Sequence, residues 1–227
     1  RFLLIELFVL LSFQSKSQDF ETKANELITK GHYDSALIYV NKALAEEPSN
    51  PSYLLQLKAD TYYYLNQIEN SLEQYIKSIH ATNNSEVKNL QQLQELNSHI
   101  GFCYRDLGLF TQALPYYLES SRLAQSLGDS VEMASTFYNL GTTYMNLSRM
   151  TESIDMLNRA YTLDMARKDT SALGYDLSLM VNLEERMGNL DKALEYSKES
   201  LAWLRPIGSN ANSKGVRLIR IGQVFLS

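Results

Sequence analysis

The stretch "KGHYDSALIYVNKAL", Lys30–Leu44, places a glycine two residues ahead of an aromatic, then alanines at Ala36 and Ala43. The arrangement returns in "NQIENSLEQYIKSI" (Asn66–Ile79), "GLFTQALPYYLESS" (Gly108–Ser121), "SRMTESIDMLNRAY" (Ser148–Tyr161) and "GNLDKALEYSKESL" (Gly188–Leu201). Its central small residues are Ala36, Ser71, Ala113, Ser153 and Ala193, at intervals of 35, 42, 40 and 40. A second landmark keeps the same phase. Seven residues before each turn residue stands Ala24, Ala59, Gly101, Gly141 or Val181, followed three later by Leu27, Tyr62, Tyr104, Tyr144 or Glu184. Self-similarity at such a period is the mark of a repeat architecture.

Helix packing explains the spacing. Each unit reads as two helices, A and B, joined near Gly31, Asn66, Gly108, Ser148 or Gly188. Gly and Asn tolerate the left-handed conformation that ends a helix. The small residues mark where A and B approach most closely, since a larger side chain there would push them apart. The aromatics Tyr33, Tyr62, Tyr104, Phe110 and Tyr144 are expected in the wedge between units. Asp129-Ser130, Asp169-Thr170 and Ser209-Asn210 are the expected caps of the A helices, because Asp, Ser, Thr and Asn accept from the first free N–H groups. Pro48 and Pro51 stop the first B helix and open the next unit. Pro115 is expected early in its helix, where a missing N–H matters least.

Composition agrees with a helical chain and excludes several functions. Hydrophobic residues make up 44% and charged residues 21%, a globular balance, while 10 Gly and 4 Pro leave little punctuation and favour long helices. A net charge of −5 without a Lys/Arg block argues against nucleic-acid binding. Cys103 is the single cysteine, so neither an intrachain disulfide nor a Cys-rich zinc site can form, and a buried, inert thiol is expected. His32, His80 and His99 lie far apart, and none has a second ligand at metal spacing. His32 and His80 read as solvated turn and helix-end residues; His99 is a candidate ligand contact on the groove side of its helix. The adjacent pair Glu184-Glu185 diverges around a helix and cannot act together in acid–base work. No nucleophile elbow, phosphate loop or dinucleotide loop appears, so no catalytic residue, cofactor or metal is expected.

The motifs "FYNLGTTY" (Phe137–Tyr144) and "NSHIGFCY" (Asn97–Tyr104), with Ala36, Ala113, Ala193 and Pro48, resemble the tetratricopeptide repeat. The resemblance implies an all-α fold, a right-handed α-α superhelix of about five helical hairpins plus the start of a sixth. The expected repeats are 19–50, 52–84, 86–128, 130–168, 170–208 and a truncated 210–227 opening at "LIRIGQVF" (Leu218–Phe225). That last helix lacks a partner, so either the chain is part of a longer protein or this helix is its cap. Units near 40 residues resemble those of bacterial peptide-sensing regulators, and of the sensor regions of some histidine kinases and LuxR-type regulators. Val181 and Glu184 depart from the pattern and predict looser or shifted packing in the fifth unit.

The resemblance further implies a non-enzymatic scaffold that binds a protein or peptide on its concave face. The implied groove positions are Tyr53, Gln56, Asp60 and Tyr63; Ser98, Phe102 and Arg105; Tyr138, Thr142 and Met145; and Tyr175, Ser178, Asn182 and Glu185. Tyrosines there would give contact area at low entropic cost, or would pack between neighbouring A helices. The lysine–asparagine clamp that some family members use for a terminal carboxylate is not matched: its lysine position holds Glu21, Gln56, Ser98, Tyr138 and Ser178. The alternative reading is the extracytoplasmic sensor portion of a signalling protein. Residues 1–18, "RFLLIELFVLLSFQSKSQ", carry an apolar run of 12 residues (Phe2–Phe13) after a basic one. They read as a signal peptide, with export to the periplasmic side of a bacterial envelope, or as a lead-in helix of a cytoplasmic chain. The run is too short for a bilayer, which takes about 20 residues. Membrane contact is therefore expected only through that segment or through sequence beyond Ser227.

Overall fold

The five expected A–B turns carry the local structure on which the rest is built. Gly31, Asn66, Gly108, Ser148 and Gly188 all have positive φ, between 58° and 79°. In each, the residue after the turn donates its N–H five residues back: His32 to the Leu27 carbonyl, Gln67 to Tyr62, Leu109 to Tyr104, Arg149 to Tyr144 and Asn189 to Glu184, at 2.8–2.9 Å. This is the Schellman closure of a helix end. Its acceptors are the residues of the second sequence landmark, so the phase seen in the sequence is the phase of these turns.

A computed structural model describes residues 2–46, 48–85 and 88–204, and side chains from residue 16 to residue 203. The expected sixth unit, 210–227, and the Ser209-Asn210 cap lie outside the described residues. Ten helices follow in order: α1 (Phe2–Thr29), α2 (Tyr33–Ala45), α3 (Pro51–Tyr64), α4 (Ile68–Asn83), α5 (Leu90–Asp106), α6 (Phe110–Leu127), α7 (Ser130–Asn146), α8 (Met150–Arg167), α9 (Thr170–Arg186) and α10 (Leu190–Leu204). There is no strand among the described residues. The chain divides into two compact units between Leu109 and Phe110. The first contains the hairpins α1–α2 and α3–α4 with α5, the second α6 with the hairpins α7–α8 and α9–α10.

The small residues sit where the spacing requires. Ala24, Ala36, Ala59, Ala113 and Ala193 are fully buried, as are Ser71 and Ser153. At Ser71 and Ser153 the hydroxyl crosses the hairpin and donates to the carbonyls of Ala59 and Gly141, at 2.8 and 2.7 Å. Serine therefore replaces alanine without leaving a polar atom unpaired in the core. Gly141 is the tightest approach: a Cβ there would lie 2.8 Å from Leu157 Cδ2. Core clusters form between successive hairpins within each unit, such as Ala24, Val40, Ala43, Leu54 and Leu57 in the first. In the second, Met145 and Leu157 meet Leu177, Met180 and Leu183.

Helix starts also follow side-chain chemistry. Asp129 accepts from the N–H groups of Val131 and Glu132, and Asp169 from that of Ala172. Asn50 and Asn89 do the same for Tyr53 and Gln92, with Pro51 opening α3. Two expectations change. Pro115 lies inside α6, beyond the four residues whose N–H groups are free in any helix, so it removes a bond of the helix interior. The fifth unit keeps its register through Gly188, and Val181 and Ala193 are buried there. Glu184, in the aromatic position, is buried too and accepts from Asn189 Nδ2 at 2.7 Å. At the start of the chain α1 runs unbroken across residues 18 and 19, and Ser17 donates to the Ala43 carbonyl at 3.1 Å. Among the described residues no helix is long and apolar enough to cross a membrane.

Candidate functional site

In the first unit α3 and α5 lie close enough for their side chains to share a cavity of about 230 Å³. Helical spacing supplies the lining. Asp60, Tyr63 and Tyr64 share one face of α3, and His99, Phe102 and Arg105 one face of α5, while Tyr75 enters from α4. Tyr75 donates its hydroxyl to Asp60 Oδ1. His99 Nδ1 stands 3.8 Å from the same oxygen and has no hydrogen-bond partner. The Tyr75 and Phe102 rings lie 5.2 and 6.3 Å from the imidazole. Tyr63 donates to Asp106 Oδ2 at 2.6 Å, and the Arg105 guanidinium holds Asp106 Oδ1 at 3.0 Å while lying 4.7 Å over Phe102.

Burial sets the protonation here. It raises the Asp60 carboxyl above its ordinary range, opposed by the Tyr75 hydroxyl. It pushes the Tyr75 phenol far up, aided by the charge of Asp60, and Tyr63 to about 12, aided by Asp106. The result is an aromatic-walled hollow with a carboxylate floor and a cationic rim. It contains no nucleophile activated by a base. Cys103, nearby, is buried against Ser71 with its thiol pushed up to about 11 by burial, so it is not a thiolate near neutral pH.

The second unit has a larger cavity of about 450 Å³, lined by Tyr138 of α7, Tyr175 of α9, and a charged group at the α8–α9 junction. Asp164 and Asp176 are 3% and 1% exposed, with Arg167 and Asp169 beside them. Burial raises both carboxyls; the Asp176 hydrogen bond and Arg167 oppose the rise at Asp164, whereas Asp164 adds to the rise at Asp176, which reaches about 8. One proton is thus shared between the two near neutral pH.

The expected groove residues distribute unevenly. Asp60, Tyr63, Phe102 and Arg105 come together in the first cavity, Tyr138 and Tyr175 in the second. Tyr53 and Tyr175 are exposed, and Thr142, Ser178, Asn182 and Glu185 half-buried. Gln56, Ser98 and Met145 are buried instead. Gln56 is spent on α5, accepting from Gln92 and donating to Glu95. Sequence reasoning missed Tyr75, Asp164, Arg167 and Asp176. The available signal was phase: Asp164 continues the buried stripe Ser153, Leu157 and Ala160, and Asp176 stands between Leu173 and Leu177. His32 and His80 are exposed, as expected.

Residues 92–166 match the family model of the tetratricopeptide repeat. Over those residues the sequence is that of a tetratricopeptide repeat. Repeats of this kind are typically interaction scaffolds and not catalysts. No curated protein matches the sequence. Among solved structures, the apo form of RapI superposes with a TM-score of 0.81 at 16% identity, over 92% of this chain and 59% of that one. Aspartyl phosphate phosphatase F from Bacillus subtilis gives 0.74 at 19%, over 88% of this chain and 53% of that one. MamA from Desulfovibrio magneticus RS-1, residue 41 to its end, gives 0.70 at 16%, over 86% and 98%. At these identities the likeness is one of fold. The chain spans little more than half of the first two proteins.

Proposed function

We propose that this repeat chain is a non-enzymatic scaffold that binds a segment of a partner protein on the surface of its A helices. The observation that carries the reading is the hollow between α3 and α5. Its aromatic walls offer apolar area, and Asp60, His99 and Arg105 offer polar groups that fix an incoming side chain. In the second unit Tyr138 of α7 and Tyr175 of α9 offer the same chemistry. Export through residues 1–18 is proposed from the sequence of that segment, and mass spectrometry of the mature amino terminus tests it.

The binding test selects peptides from a random displayed library with the whole chain, then measures them on Phe102→Ala and Tyr138→Ala. At least one variant should weaken the selected peptides tenfold or more while its far-UV circular dichroism is unchanged. A chain that captures no sequence, or peptides that bind both variants as they bind the parent, refutes the reading.

A further inference from the structure

The second cavity holds more carboxylate than its own cation neutralises. Arg167 reaches Asp164 Oδ1 at 3.2 Å and Asp169 Oδ2 at 3.0 Å, and donates to the Ser130 carbonyl at 3.2 Å. It is therefore divided among three acceptors. Asp176 has no ion pair among the described residues, and its Oδ2 accepts no hydrogen bond although it is buried. Asp164 Oδ1 also lacks a hydrogen bond in good geometry. Such groups are expensive to bury and are ordinarily matched by a donor. The cavity they line is also lined by Tyr138 and by Tyr175, the latter 66% exposed, with Val131 and Ala172 as apolar walls.

We propose that this cavity receives a basic side chain, lysine or arginine, from the partner segment, with Asp164 and Asp176 as the carboxylate floor and Tyr138 and Tyr175 flanking the aliphatic stem. The inference rests on the scaffold reading and names the chemistry of the partner. Charge selects the occupant: two buried acids and Asp169 face one arginine, so a second cation can stand where the shared proton does. No group of three His, Cys, Asp or Glu with metal-holding geometry occurs among the described residues, so the cation proposed is organic. Tyrosine faces suit it as well, since they attract ammonium and guanidinium groups.

Binding should release a proton. The groups facing Asp176 are Asp164, Arg167 and the Tyr161 phenol on α8, Asp169 at the junction, and the Tyr138 phenol on α7; Tyr161 is itself hydrogen-bonded to Glu199 of α10. The Asp164–Asp176 pair holds a proton near neutral pH. An entering ammonium takes that proton's place, and the proton passes to solvent.

The test uses the whole chain, labelled with nitrogen-15, and the peptide Ac-Ala-Ala-Lys-Ala-Ala-NH2 beside its norleucine counterpart. The lysine peptide should shift the amides of Tyr138, Tyr175 and Asp176 saturably, and the norleucine peptide should not. Its affinity should rise about tenfold from pH 6 to pH 7, as release of one proton requires. Asp176→Asn should weaken it and abolish that pH dependence, with the remaining spectrum preserved. Equal binding of the two peptides, no saturable shift, shifts confined to other residues, or an affinity independent of pH would overturn the assignment. None of these outcomes touches the hollow in the first unit, whose failure is read separately through Phe102→Ala.

Discussion

Replacing Asp176 by asparagine should stabilise the second unit at neutral pH, against the usual direction of core substitutions. The carboxyl is 1% exposed, and burial together with Asp164 lifts it from an ordinary 3.8 to about 8. A folded value above the unfolded one means that the folded state binds the proton more tightly. Stability from this group is complete below about pH 4, falls as pH rises, and is lost once pH passes about 8. At pH 7 the deficit spans about three pH units, or about 4 kcal/mol at 1.36 kcal/mol per unit. Asparagine keeps the shape and a donor toward Asp164 but never ionises. The variant should therefore exceed the parent by about 4 kcal/mol at pH 7, and the gap should widen as pH rises from 5 to 7. Repeat proteins can unfold in parts, so urea unfolding by circular dichroism is paired with hydrogen exchange of the α9 amides at pH 5, 6, 7 and 8. A gap that stays constant over this range, or a variant less stable than the parent at pH 8, would refute the shared-proton account.

Three further substitutions probe the hairpin. Gly141→Ala brings a Cβ to 2.8 Å from Leu157 inside a closed α7–α8 contact, and overpacking there should exceed the helix-propensity gain of alanine; a net loss of about 1 kcal/mol is expected in urea unfolding. Ser148→Gly relieves a side chain held at φ 59° and should gain about 0.5 kcal/mol, read as a higher denaturation midpoint. Asp129→Ala leaves two N–H groups at the start of α7 without their acceptor and should cost about 1 kcal/mol, with faster exchange confined to the first turn of that helix.

The hairpins were legible because two independent constraints coincide in the sequence. Ser148 and Asn66 are not glycines, and composition alone would not mark them as left-handed turn residues. Their distance from Gly141 and Ala59 does, because the helix must end one Schellman turn after the landmark tyrosine or there is no room for the B helix. The same logic explains why serine could stand for alanine at Ser71 and Ser153: the position demands a small side chain, and a hydroxyl is tolerated once a carbonyl faces it. Pro115 was misplaced because the start of α6 is set by Gly108, which puts the proline at the sixth helical residue.

The sites were less legible, for a reason that lies in the geometry of stacked hairpins. Phase along a single A helix separates its own B partner from everything else, but it does not separate a neighbouring A helix from open space. Gln56 and Tyr63 lie on similar sides of α3, yet Gln56 is absorbed by Gln92 and Glu95 of α5 whereas Tyr63 borders a cavity. The acid pair poses the reverse problem. Asp164 and Asp176 occupy core phases of α8 and α9, each a minor irregularity in an apolar stripe when its helix is read alone. Their meaning appears only when the two stripes are brought face to face, since one buried acid is tolerable as a neutral group and two together must divide a proton. A carboxylate in the hydrophobic phase of two consecutive helices is therefore a joint signal. It can be sought in the sequence by asking which core-phase acids the hairpin register would place opposite each other.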